Sequence, residues 1–412
     1  MVATAGCAGI FQRSRPSTPA FYARQVAVAG ELRVGSAERD ITPTVGGYMS
    51  GFDIGRTSTG VASPLRVRAM VVEADGRPFA IVGIDNLGML REDVDWIKAG
   101  IAGFANGDVF VCASHTHAGP DLIGLWGYWF LTSGRDRGYL MALRHAVGEA
   151  VAEARAKAVA AELVRGTGML PSRGLLKNTN RAGVFDRRLV VLQARAVADG
   201  RPVGTLLHLG CHPEVLPRGN TELSADFVGA LCDEWRARGH GQAVFCNGAL
   251  GGLISPAIRP RAMASVIGFG EQACDVAEAA LRTGQVLEVD AIEVRRRDLF
   301  VPVHALGFRL GRLTGVLPRE LHDGAARSTV GLLRIGSFTA VAVPGEMEPA
   351  LAERIRAELG LPDLVVFGLC DDELGYLMRE EEARDPLFAY EVSMSACLLA
   401  GEMVRAAITG MP

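Results

Sequence analysis

Short apolar runs alternate along the chain with longer segments whose apolar residues recur at helical spacing, the pattern of an α/β protein. Residues 32–37 read as a strand and lead into Asp40-Ile41-Thr42-Pro43 and a glycine-rich turn at 46–51. Residues 66–73 and 79–84 predict a hairpin, because Asp75-Gly76 between them is a strong turn signal. An amphipathic helix is expected over 91–103 and a long alanine-rich one over 139–160. Further helices are expected over 224–238, 263–283, 347–359 and 391–408. Strands are expected at 109–112, 162–166, 189–194, 204–210, 242–246, within 287–304 and 330–343, and at 365–368. The expected fold class is α/β, with mixed β-sheets and flanking helices in one large domain over residues 31–412. Residues 1–30 lack a basic stretch followed by an apolar core. They read as an N-terminal extension without fixed structure, and not as a secretory signal.

Composition narrows the class. At 412 residues, with 49% hydrophobic and 22% charged residues, the chain has the make-up of an ordinary soluble globular protein. Its formal net charge is −3 and it has no long block of like charge, so nothing suggests a nucleic-acid partner. Apolar runs of about 18 residues are absent, so no transmembrane segment is expected. The 8 cysteines show no Cys-x-x-Cys spacing, which favours a reducing compartment and hence the cytoplasm. Nothing in the sequence fixes the oligomeric state.

Candidate chemistry gathers at strand ends. His115 and His117 sit two apart where the 109–112 strand opens into Gly119-Pro120, so both rings can aim at one spot. Two converging imidazoles suit a divalent metal, and they equally suit an ordinary hydrogen-bonded pair. Pro213 holds His212 extended at the end of another strand. Glu346 follows Pro344-Gly345, and Tyr376 follows a short acidic stretch. Three glycines in the segment from Asn247 to Pro256 let backbone approach a ligand, which makes Asn247 and Gly251 candidate substrate contacts. Trp126, with Tyr128, Trp129 and Phe130, either lines an apolar substrate pocket or simply packs its loop. His208 reads as a packed core histidine and a reserve ligand. Asp40, Asp85, Asp186 and Asp226 read as caps or loop holders, one or two of them orienting the histidines.

Seven motifs in order resemble the neutral (non-lysosomal) ceramidase family across residues 31–405. They are Asp40-Ile41-Thr42-Pro43 with 46–51, Ser114 to Pro120, His212-Pro213, Ser224-Ala225-Asp226, Asn247 to Pro256, Pro344-Gly345-Glu346, and Glu373-Leu374-Gly375-Tyr376. The resemblance implies a zinc amidase acting on N-acyl bonds through water activated at the metal. It implies His115, His212, Glu346 and Tyr376 as Zn(2+) ligands, His117 as a catalytic hydrogen-bonding residue and Ser255 as the active-site serine. The implied substrate is a small-molecule or lipid-like amide. Gly252-Leu253-Ile254 stands where the family has Gly-Asp-Val, so no acid precedes Ser255. The chain is expected to be a short form without the family's C-terminal β-sandwich domain. Two other readings stay open. Cys112, Cys211, Cys246 and Cys370 each flank a motif, so one could be the nucleophile of an acyl hydrolase or transferase. The missing acid also fits a non-catalytic metal-binding protein.

Overall fold

Two large β-sheets stack face to face and helices cover the outer face of each, in a computed structural model that describes residues 13–129, 132–171 and 174–411. In chain order the elements used below are β1 (Phe21–Ala27), β2 (Arg33–Asp40), β3 (Arg66–Ala74), β4 (Arg77–Ile84), α1 (Arg91–Lys98), β5 (Val109–Ala113), α2 (Arg137–Ala156), β6 (Val159–Met169), β7 (Arg188–Ala196), β8 (Pro202–Leu209), α3 (Asp226–Ala237), β9 (Ala243–Asn247), α4 (Met263–Arg282), β10 (Ala291–Pro302), α5 (Leu306–Leu313), β11 (Ala325–Ile335), β12 (Phe338–Ala342), α6 (Pro349–Leu359), β13 (Val365–Phe367) and α7 (Ala400–Thr409).

The first sheet runs β9-β8-β7-β6-β2-β3-β4-β5 and the second β1-β10-β11-β12-β13. Both are mixed: β4–β5, β8–β9 and β12–β13 are parallel, and the remaining neighbours in these two orders are antiparallel. Period-two alternation sorts side chains between layers. In β5, Phe110 and Cys112 join Phe338, Phe367 and Leu333 between the sheets, while Val109 and Val111 face the helices α2, α3 and α4. Burial on both faces is why β5 reads as an unbroken apolar run. On the far side, Leu351 and Ile355 of α6 and Val404 and Ile408 of α7 cover the second sheet. Asp75 and Gly76 both take positive φ, 47° and 69°, the conformation of the tight hairpin turn expected between β3 and β4.

Three expectations change. Within the supposed extension, β1 pairs antiparallel with β10, and Tyr22 donates to Asp108 Oδ1 at 2.7 Å, so the ordered domain begins before residue 31. Residues 1–12 lie outside the described residues. Helix α1 ends at Lys98, ahead of Gly100 and of Gly103 with φ 80°. The helix expected at 391–408 is two, Ala389–Ser393 and α7. Met394 separates them because its carbonyl is pressed against Gly375, where a Cβ would lie 1.7 Å away.

Candidate metal centre

The curl of the first sheet carries its two parallel ends together. A Cβ on Gly83 of β4 would stand 2.7 Å from the Phe245 carbonyl of β9, so only glycine permits this approach. Asn247, at the end of β9, then bridges the two histidine-bearing strand exits. Its amide Nδ2 donates to Ser114 O at 2.8 Å and Cys211 O at 2.9 Å, and its Oδ1 accepts from Cys211 N and Gly248 N. Four backbone partners leave this fully buried side chain nothing for a ligand. Asn247, expected to touch substrate, is therefore a staple between the segments carrying His115 and His212.

His115, His117, His212 and Glu346 meet just beyond the carboxyl ends of their strands, where sites in α/β sheets form. The ring centroids of His115 and His212 are 4.9 Å apart, those of His115 and His117 5.1 Å, and those of His117 and His212 5.7 Å. One nitrogen from each ring lies within 4.8 Å of the others. Oε2 of Glu346 stands 3.0 Å from His212 Nε2 and 3.5 Å from His115 Nε2. Tyr376 is the register partner of Glu346 in a short parallel ladder.

His115 and His212 are each anchored from behind. His115 Nδ1 lies 2.6 Å from Leu87 O and His212 Nδ1 lies 2.9 Å from Ile254 O. A carbonyl only accepts, so each Nδ1 carries a proton and each ring turns its Nε2 toward Glu346. An Nε2 from each ring facing one carboxylate oxygen is bridged by a proton or by a cation held between them, and this back-anchoring is how metal-ligating histidines are oriented. Tetrahedral zinc with ligand distances of about 2.0–2.1 Å places neighbouring ligand atoms roughly 3.3 Å apart, close to the separations seen. The residues present therefore fit a zinc ion. Backbone carbonyls do the orienting; no aspartate does. Asp85 accepts from Arg68, Asp186 pairs with Arg188 and Arg356, Asp226 holds the backbone of Val215 and Leu216, and Asp40 accepts from Thr42 N.

His117 differs. Neither ring nitrogen has a hydrogen-bond partner, although both are buried, and Glu214 Oε2 is 3.9 Å away. Burial and the neighbouring His115 and His212 push its imidazole well below the ordinary value, so it is neutral. Burial alone would raise the Glu346 carboxyl, but His115 and His212 together hold it below the usual carboxylate range. Burial and the charge of Glu346 push the Tyr376 phenol up. His115 has φ +72°, uncommon for a non-glycine residue, and the N–H groups of His115 and Thr116 both donate to Asn86 O to hold it there.

No protein-family model matches the chain, and no curated protein matches its sequence. Solved structures do match its shape. The neutral ceramidase from Pseudomonas aeruginosa superposes with a TM-score of 0.73 at 16% identity, over 92% of this chain and 74% of the other. A ceramidase complexed with C2 gives 0.73 at 18% identity, over 93% and 76%. The fold is that of the neutral ceramidases. Among the residues that the resemblance marked, this neutral-ceramidase fold brings together His115, His117, His212, Glu346 and Tyr376.

Other expected residues fall elsewhere. Ser255 is buried, its hydroxyl donates to Leu253 O at 3.3 Å, and the cavity wall beside the histidines is Leu253. Its strand instead presents the Ile254 carbonyl to His212, and Ser255 lines neither of the cavities beside the histidines. Gly251 meets the Glu346 strand, where a Cβ would lie 2.7 Å from the Glu346 carbonyl, so it permits close packing there. Cys112, Cys211, Cys246 and Cys370 are buried off the cavities, and burial pushes the thiols of Cys112, Cys211 and Cys370 well up, which removes the thiol-nucleophile reading. His208 is a core histidine whose Nε2 donates to Val366 O at 2.8 Å.

Two cavities that share a wall flank the cluster. One of about 680 Å³ is lined by His117, His212, Tyr376, Phe52, Leu253 and Tyr390 among others. A narrower apolar slot of about 80 Å³ holds His115 and Glu346 against Leu87, Leu90, Ile123 and Leu317. Trp126 lines both and donates its indole N–H to Phe52 O at 3.0 Å. Tyr128 and Trp129 point to solvent, and Phe130 lies outside the described residues. Phe308 of α5 and Met394 also line both cavities. Neither was marked, because both arrive from segments without a motif.

Proposed function

We propose that the chain is a zinc-dependent hydrolase of a linear N-acyl amide bond, with a lipid-like amide as substrate. The observation that carries this reading is the pair of back-anchored imidazoles facing one oxygen of Glu346 at the wall of an apolar cavity. Its setting in a fold shared with solved ceramidases supports the same chemistry. His115, His212 and Glu346 would hold the ion, with Tyr376 completing the set. When bound there, zinc supplies a Lewis acid for the amide carbonyl and lowers the pKa of water to about 7.

The chain's own groups do the rest. His117, neutral and unanchored, has one nitrogen to accept a proton and one to donate, so it can pass a proton to the departing amine or hydrogen-bond the developing oxyanion. Trp126, Leu125, Phe308 and Met394 exclude water and bury the acyl chain. Asn247 and the Leu87 and Ile254 carbonyls keep the two ligand rings in place.

Turnover of a panel of N-acyl amines by the purified protein tests the reading. Chelation should abolish hydrolysis and zinc should restore it. His117→Ala should keep its zinc and lose on the order of 10²–10⁴-fold in turnover. Hydrolysis that is indifferent to chelation, or no turnover of any N-acyl amine by zinc-loaded protein, would contradict it.

A further inference from the structure

Helix α5, Leu306-Gly-Phe-Arg-Leu-Gly-Arg-Leu313, turns its larger apolar stripe outward. Leu306, Leu310 and Leu313, spaced i, i+4 and i+7, are 68%, 47% and 64% exposed, while Phe308 and Gly311 face inward toward Leu125 and Leu317. The helix carries Arg309 and Arg312 and no acid. Among the described residues neither guanidinium has a carboxylate within ion-pair distance. Its stripe is continuous with the cavity: Leu310 lines the chamber that holds His117 and His212. Two more half-exposed side chains, Ile54 and Tyr390, line the same chamber from other parts of the chain. Large apolar residues therefore ring the entrance, and the helix that supplies Leu310 to it carries two arginines without a carboxylate partner among the described residues.

We infer that this rim docks on the surface of an anionic phospholipid bilayer, with α5 lying in the headgroup region and its leucines among the acyl chains. The inference rests on the reading that the substrate is a lipid-like amide, since such a molecule would then pass from bilayer to cavity without crossing water. A short basic helix with an outward apolar face suits an anionic lipid surface, where each cation and each buried leucine adds affinity. A second copy of the chain seated on the same rim would close the entrance.

Vesicle co-sedimentation of the zinc-loaded full chain tests this, with phosphatidylcholine vesicles and vesicles that also contain phosphatidylglycerol. Binding should occur and be stronger with phosphatidylglycerol. The double variant Leu306→Glu/Leu313→Glu alters no residue that lines the two cavities beside the histidines. It should weaken partitioning on the order of 100-fold, given the burial of two leucines. It should hydrolyse a short, water-soluble N-acyl amine at the wild-type rate and a vesicle-embedded one more slowly. The inference is overturned if the wild type stays unbound to both vesicle types or the double variant binds as well. It is also overturned if light scattering shows a dimer that the double variant dissolves. Vesicle binding with no turnover of any N-acyl amine would sink the hydrolase reading and leave the docking surface standing.

Discussion

His208 and His212 lie four residues apart at one strand end and do opposite work. His208 is sealed in the core, where burial pushes its imidazole from the ordinary 6.5 down to about 4. Its folded-state pKa lies below the unfolded one, so the unfolded chain takes up the proton first as pH falls. Stability from this residue is complete above about pH 6.5 and is lost between there and about pH 4, by roughly 3 kcal/mol. His208→Gln should flatten the acid limb of a stability-versus-pH curve in that window, as measured by denaturant unfolding. An unchanged limb would count against the burial argument. Asn247→Leu strips four backbone groups of their partner, and each buried group left unpaired costs about 1–3 kcal/mol. The variant should be less stable by several kcal/mol and bind zinc more weakly. Ser255→Ala should keep turnover within about threefold, because its hydroxyl only meets a backbone carbonyl; a loss of 10²-fold or more would return Ser255 to the catalytic set.

At the scale of elements, strands with apolar residues on both faces were readable from the sequence because burial on two sides leaves an unbroken run, as in β5. The β3–β4 hairpin was readable from Asp75-Gly76. Segments shaped by distant contacts were not. The ladder of Glu346–Met347 with Tyr376–Leu377 is too short to carry a period, and the break at Met394 comes from Gly375. In α5 the stripe of leucines faces outward, the reverse of a core-facing helix. The edge strand β1 alternates between exposed and half-buried residues and so resembles an unstructured tail. Tyr22 and Val26 nevertheless pack on the inter-sheet core. Removing residues 1–30 should cost about 2–3 kcal/mol of stability by losing that packing. No change in the unfolding midpoint would mean that β1 contributes nothing.

For the molecule as a whole, the residues that cluster at strand exits, His115, His117, His212, Glu346 and Tyr376, were legible because they sit in short motifs with little positional freedom. The cavities were not, because their walls come from loops and helices far apart in the chain. Sequence identity of 16–18% alongside a TM-score of 0.73 fits that division, since packing tolerates substitution as long as layers and strand exits hold. The ion should also tie the two sheets together, because His115 and His212 leave the first sheet and Glu346 follows a strand of the second. Zinc removal should therefore lower the unfolding temperature, and re-addition should restore it.

The most direct test is the metal content of the purified protein beside three variants. The wild type should carry about one zinc per chain, His115→Ala and His212→Ala should carry little, and His117→Ala should match the wild type, as one tetrahedral site with anchored ligands requires. Folded wild-type protein that binds no zinc, or His115→Ala protein that holds as much as the wild type, would contradict the account.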